Sequence, residues 1–335
     1  MRENKMMFIV FMLGTFTVGM AEYVVTGLLT QIASDMKVSI SSAGLLISVY
    51  AISVAVIGPF MRIFTLKVHG HRLLPILVAI FIISNLVGML APNFNVLLLS
   101  RLMSAAMHAP FFGVCMSVAA AVAPPAKKPQ AIALVQAGLT IAVMIGVPFG
   151  SFLGGFANWR TVFGVMIGLA VITMLGMIKF VPKVSLSAEA NIANELKVFK
   201  NPHILIVISI IVFGYSGVFT TYTFMEPMIR DFSPYKVVGL TVCLFMFGFG
   251  TFGTTPLLNS KIILSAHEAP LLASTLAASV FNVANFLGAM IGSILLSIGL
   301  PYIQITFISG GIIILGIILN FVNHLYERKH ITFSN

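Results

Sequence analysis

The sequence predicts an all-α, polytopic membrane helical bundle of about ten transmembrane helices, arranged as six plus four, and three observations carry that prediction. The chain is 59% hydrophobic and only 8% charged, with a mean hydropathy of +1.07, far beyond what 335 residues need to fill a water-soluble core. Its apolar residues gather into stretches long enough to cross a bilayer, separated by short polar punctuation. Its basic residues fall unevenly on the two sides that such a topology creates.

The expected spans are 8–29, 43–64, 73–91, 96–122, 131–156, 161–181, 204–225, 236–257, 272–297 and 302–323. The first follows Arg2 and Lys5 but is too long for a secretory signal and lacks an A-x-A cleavage site, so it reads as a retained anchor. With the N-terminus inside, only Lys37, Arg160, Arg230 and Lys236 lie outside and Arg101 lies within a span, which leaves fourteen of the nineteen Lys and Arg on the inner side. This bias places both termini in the cytoplasm of a cell-membrane protein and accounts for the net charge of +10 without a nucleic-acid partner. Cys115 and Cys243 fall inside spans with no C-x-x-C or Cys/His spacing, so neither a metal site nor a disulfide framework is expected.

The only long polar stretch, 183–202, carries Ser185, Glu189, Asn191, Glu195, Lys197 and Lys200 and ends at Asn201-Pro202. It divides the chain into an N-terminal six-helix bundle (1–182), a cytoplasmic linker and a shortened C-terminal bundle (203–335). A linker after six spans suggests a pseudo-two-fold repeat. Gly146-x-x-x-Gly150-Ser151-x-Leu153 recurs as Gly288-x-x-x-Gly292-Ser293-x-Leu295, an offset of 142 (288 − 146). Laying Phe16 of span one on Phe213, in the first helix after the linker, needs an offset of 197 (213 − 16). The difference, 55 residues (197 − 142), is about two helices' worth of chain missing between spans eight and nine.

Glu22 is the only charge between Phe8 and Leu29. An ionisable side chain inside a span costs a few kcal/mol by insertion scales, so those retained face a bundle interior and mark ion or substrate pathways. Span four carries Arg101 and His108 seven residues apart, two helical turns, with Ser104 on the same side. Counting from the outer ends of the spans, Glu22 and Arg101 differ in depth by only ~3 Å, with His108 a further ~10 Å inward. A buried carboxyl holds its proton when desolvated and gives it up when a cation approaches, which is what a proton carrier requires. The alternatives are a structural ion pair between Glu22 and Arg101 and, for His108, a packing role.

Span five places Gly138, Ala142, Gly146, Gly150 and Gly154 every fourth residue, with Pro148 among them. Small residues at this spacing make a face for close helix approach, and Pro148 adds a bend by removing a backbone hydrogen bond. Ala284, Gly288 and Gly292 repeat the stripe near the end of the chain. Tyr50, Gln136, Tyr222, Asn282 and Asn285 are polar or amphipathic residues in or beside spans, suited to hydrogen-bonding a weakly polar substrate or to holding helices together. Glu226, Arg230 and Asp231 read as solvated loop charges, and Asp35 also falls in a loop.

Taken as a set, Gly146-Val-Pro148-Phe-Gly150, Gly154-Gly155 and Trp159-Arg160-x-x-Phe163 resemble the antiporter motif in the fifth helix of major facilitator superfamily drug:proton antiporters. The subgroup they resemble is the twelve-span exporters that include chloramphenicol, arabinose and purine efflux proteins. Gly19-x-x-Glu22-x-Val-Val-x-Gly27, Ala43-Gly44, Tyr50-Ala51, Arg101, Ala269-Pro270 and Phe281-Asn282-x-x-Asn285-x-x-Gly288 are similar to the family as well. There are two departures. The loop from Gly58 to Arg72 keeps the bases Arg62, Lys67 and Arg72 of the family's cytoplasmic gate but lacks its Asp, and the chain has ten spans where the family has twelve. The missing pair would be helix nine and most of helix ten, with the join near Gly250-Thr251-Phe252-Gly253.

The resemblance implies a monomeric secondary transporter of a bacterial cell membrane that exports small molecules such as drugs, sugars or nucleosides and purines in exchange for protons. Glu22 would carry the proton, Arg101 would compete with it, and His108 would be a relay candidate. Gly146, Pro148 and Gly150 would form a hinge and seal. The alternative is a chain that inserts but does not transport, because four helices cannot close the second half of the cavity. No G-x-x-x-x-G-K-[ST] loop occurs, so ATP does not drive transport directly, and no hydrolase motif or cofactor signature supports an enzyme.

Overall fold

The computed structural model describes residues 4–65, 68–183, 202–231 and 270–331, and every described element is helical. The chain falls into two compact units, Met1–Ala188 and Glu189–Asn335. Among the described residues nine helices are long and apolar enough to cross a membrane. The expected span 236–257, Cys243 and the join at Gly250–Gly253 lie outside the described residues.

The first unit opens with α1 (Lys5–Tyr23), which tightens into a 3-10 turn at Val24–Gly27 and continues as the short α2 (Leu29–Asp35). The expected single span 8–29 is therefore broken near its outer end, where Val24, Val25 and Thr26 form a β-branched run that disfavours a regular α-turn. Lys37, with φ 54, ends α2 while Val38 N–H bonds to Ala33 O at 3.0 Å, a Schellman-type stop made without glycine. Then follow α3 (Ile40–Phe64), α4 (Gly70–Met89) and α5 (Phe94–Val122). Asn93 caps α5 by accepting Val96 N–H at 3.0 Å, and Asn158 caps α8 (Trp159–Phe180) by accepting Arg160 N–H at 2.9 Å.

Span five is α6 (Lys128–Ile141), a π-turn at Ala142–Gly146 and α7 (Val147–Phe156). Residues four apart advance by ~40° around a 3.6-residue helix, so an every-fourth stripe drifts off any one face. In the π-turn Val147 N–H reaches back to Ala142 O, and the widened turn brings Gly150 and Gly154 back onto the partner of Gly138. It directly precedes Pro148, whose ring crowds the carbonyl one turn earlier. That partner is the first span. A Cβ at Gly138 would meet Thr15, at Gly146 Met20 and Phe16, at Gly150 Val24, and at Gly154 Leu28. Thr15 Oγ1 donates to Val135 O at 2.6 Å and Ser151 Oγ to Gly27 O at 2.9 Å, fastening both ends of the seam.

Within this unit α1 packs on α6 and α8, α5 on α3, α4 and α6, and α4 on α8. α1 is apolar all round and buried almost continuously from Met7 to Tyr23, as expected of a central helix. Outward-facing side chains such as Leu99, Phe152, Phe156, Leu175 and Ile178 are large and apolar, suited to lipid.

The described part of the second unit comprises α9 (Pro202–Thr223), the short α10 (Met225–Asp231), α11 (Pro270–Ser297) and α12 (Tyr302–Ile331). α9 is its centre, packed on both α11 and α12. The stripe of α11 faces α9: a Cβ at Gly288 would lie 2.7 Å from Phe219 Cβ and 2.8 Å from Thr220 N, and one at Gly292 2.6 Å from Phe224. On the other flank Ser309 Oγ donates to Gly217 O and accepts from Thr221 Oγ1 at 2.7 Å. Gly299, with φ +85, ends α11 in a Schellman turn closed by Leu300 N–H to Leu295 O at 3.1 Å. Glu226 and Asp231 belong to the helix α10 rather than to a loop.

Candidate functional site

Glu22 lies in the last turn of α1, just before the helix tightens, and is only 3% exposed. A helix end leaves carbonyls short of intrahelical donors. Arg101, at 1% exposure on α5, supplies them: Nη1 donates to Ala21 O at 2.7 Å and Nη2 to Glu22 O at 3.4 Å. A cation at this position also suits the negative end of the helix dipole. Sequence reasoning paired Arg101 with the Glu22 carboxylate, and these bonds instead join the guanidinium to the backbone of α1.

The Glu22 side chain turns toward His108. Oε2 stands 3.7 Å from His108 Nε2, within ion-pair range but longer than a hydrogen bond. His108 is 4% exposed, stacks on Phe112 with centroids 4.8 Å apart, and places Nδ1 3.0 Å from the Tyr50 hydroxyl. The Tyr50 ring lies under the guanidinium, 4.1 Å from Arg101 Cζ to the centroid. Three helices thus meet at one buried cluster: α1 brings Glu22, α3 brings Tyr50, and α5 brings Arg101, Ser104 and His108. The two-turn spacing of Arg101 and His108 does put both on one face. Tyr50 belongs to this cluster, a placement for which the sequence carried no signal.

The other expected site residues are spread more widely. Gly138 and Gly146 lie against α1, the helix that holds Glu22, and Gly150 and Gly154 against the turn and α2 that continue it, while Pro148 is exposed. Gln136 is exposed, its amide directed at Met116 Sδ at 3.6 Å. In the second unit Tyr222 on α9 and Asn282 and Asn285 on α11 are buried. Of the basic loop, Arg72 is exposed, whereas Lys67 and the side chain of Arg62 lie outside the described residues.

A second polar cluster occupies the far end of the first unit. Asp35 Oδ2 accepts from Trp159 Nε1 at 3.0 Å and from Arg160 Nη1, while Arg160 Nη2 donates to Ala91 O at 3.2 Å and its guanidinium lies 4.2 Å over the Trp159 ring. Asp35 is therefore the last residue of a helix, tied to the start of α8, not a loop charge. The hydrogen bond from Arg160, then that from Trp159, holds its carboxyl below the ordinary value of 3.8 against the opposing effect of desolvation.

The family model described as Major Facilitator Superfamily matches residues 11–333. The chain is similar to the uncharacterized MFS-type transporter YfhI of Bacillus subtilis (strain 168), 37% identical over 382 aligned positions covering 98% of this chain and 96% of the relative. It is similar also to a probable sugar efflux transporter of Helicobacter pylori (strain P12), 34% identical over 239 positions, 71% of this chain and 61% of that one. Among solved structures the nucleoside transporter NupG shares the fold, with a TM-score of 0.66 at 12% identity over 97% of this chain and 99% of that one. These relatives are membrane transporters and not enzymes, and the chain belongs to the major facilitator superfamily.

Proposed function

We propose that this protein is a proton-coupled exporter of small molecules in a bacterial cytoplasmic membrane, a monomer with both termini inside. It works by exposing the Glu22 site alternately to the two sides of the membrane. The observation that carries the reading is the buried Glu22 carboxylate, inside a transporter fold, beside an imidazole at 3.7 Å and on the same helix turn that a guanidinium grips. In such a place a carboxyl exchanges a proton as the site opens to one side and then the other. Arg101 competes with that proton electrostatically, and His108 completes the site. Span five is the hinge, since its π-turn packs on α1 and Pro148 follows that turn. Tyr222, Asn282, Asn285 and Gln136 are candidates for substrate contact, and Arg62, Lys67 and Arg72 for the cytoplasmic gate. A weakly polar cargo of sugar, nucleoside or drug type suits such side chains, and the similarity to a probable sugar efflux transporter supports the first of these.

A second reading is an inserted protein that does not complete transport. The alignment with YfhI has 382 positions against the 335 residues of this chain, so at least 47 of them (382 − 335) are gaps in this chain. That number agrees with the two missing spans inferred from the internal repeat.

One experiment addresses both. Inverted membrane vesicles carrying the protein are energised and offered arabinose, inosine or chloramphenicol, while proton movement is followed with a pH-sensitive dye. The proposal expects gradient-dependent flux that Glu22→Gln abolishes. Flux unchanged in Glu22→Gln removes the carrier role, and no flux from the unaltered chain, restored by inserting two helices at Gly250–Gly253, supports the second reading.

A further inference from the structure

The imidazole of His108 is held on three sides. Phe112 stacks on its face, with an interplanar angle of 11°, and fixes the ring plane. The Tyr50 hydroxyl meets Nδ1 at 3.0 Å, and the Glu22 carboxylate faces Nε2 at 3.7 Å. A neutral imidazole has one N–H donor and one acceptor nitrogen, so these two neighbours decide which nitrogen carries the proton.

We infer that Tyr50 is a positioning residue that holds neutral His108 as the Nε2–H tautomer, so that the imidazole donates toward ionised Glu22 instead of accepting its proton. This rests on the reading of Glu22 as the proton site and refines the part played by His108.

Two independent arguments converge. A carboxylate opposite Nε2 favours a hydrogen there, because the other tautomer would set a nitrogen lone pair against a negative oxygen. The guanidinium of Arg101, 4.1 Å from the Tyr50 ring centroid, draws electron density from the phenol and makes its hydroxyl a better donor than acceptor. The hydroxyl therefore donates to Nδ1, leaving the proton on Nε2. The titratable and charged groups brought to the imidazole are Glu22 from α1, Tyr50 from α3 and Arg101 from its own helix α5. Because Nε2 is already protonated in neutral His108, the proton that Glu22 exchanges does not pass to that nitrogen. If His108 does take up a proton, it enters at Nδ1, and the Tyr50 hydroxyl must turn from donor to acceptor.

The test is 15N NMR of histidine-labelled protein in liposomes at a pH where His108 is neutral, with its signals identified by their loss in His108→Gln. The expected spectrum has an unprotonated, hydrogen-bonded Nδ1 and a protonated Nε2. In Tyr50→Phe the Nδ1 signal should move to that of a bare nitrogen and the Nδ1–H tautomer should appear. An Nδ1–H tautomer in the unaltered protein, or a Tyr50→Phe spectrum identical to it, overturns the inference. Should Tyr50→Phe fail to insert, the unaltered spectrum decides alone. The readout is an equilibrium property of the folded protein, so it stands or falls separately from any measured flux.

Discussion

Replacing Gly138 by Ala tests whether the close approach of span five to α1 stabilises the first unit. The added Cβ would overlap Thr15 Oγ1 and the carbonyl oxygen of Met12 and would lie 2.8 Å from Phe16 N. Two of these three are backbone atoms, so no rotamer change relieves the overlap. α1 must retreat by roughly 0.5–1 Å, and overpacking of this kind costs about 1–3 kcal/mol. The same retreat stretches the 2.6 Å bond from Thr15 to Val135 O. Against this, Ala is the better helix former by about 1 kcal/mol, which blurs a comparison with the unaltered protein. Gly168→Ala removes that ambiguity, because a Cβ there meets nothing within 4 Å. Thermal unfolding of both purified variants in detergent should find Gly138→Ala the less stable by about 1–3 kcal/mol. Equal stability of the two would refute the argument that this seam is limited by backbone contact.

The corresponding seam in the second unit is tested by Gly288→Val. Its Cβ meets the backbone nitrogen of Thr220 at 2.8 Å, and the β-branch adds further overlap, so the yield of folded protein on size-exclusion chromatography should fall well below that of Gly310→Val, where space is open. At the Asp35 cluster the folded carboxyl ionises below 3.8, so its stabilisation is complete above that value and is lost as pH falls through the lower folded value. The pair is partly exposed, so Asp35→Asn should lower stability at neutral pH by no more than about 1 kcal/mol. That difference should vanish on strong acidification in a thermal unfolding series, and a pH-independent difference would count against the account.

The spans were legible because bilayer thickness imposes a length and composition that sequence displays directly. The β-branched run at Val24–Thr26 marks the break only weakly, since such residues also occur inside helices, and the π-turn at Ala142–Gly146 was not legible, because it answers to a packing partner. The π-turn keeps an every-fourth glycine stripe against the first span from Thr15 to Leu28, and the tight turn exposes carbonyls that Arg101 fills. At the site, helical periodicity put Arg101 and His108 on one face. Periodicity within one helix cannot say what a neighbouring helix presents, so it carries neither the place of Tyr50 beside His108 nor the bond of Asp35 to Trp159.

By itself, the sequence determined a helical membrane protein, an expensive carboxylate at Glu22 and the bases nearest to it, since the cost of polarity in lipid is a local property of each segment. Tertiary structure alone decided what each of these groups touches. It turned Arg101 to the backbone end of α1 and set Tyr50 between the guanidinium and His108, because α1 and α3 each come from elsewhere in the chain to pack on α5, where Gly14 meets Phe111 and Gly58 meets Ala109.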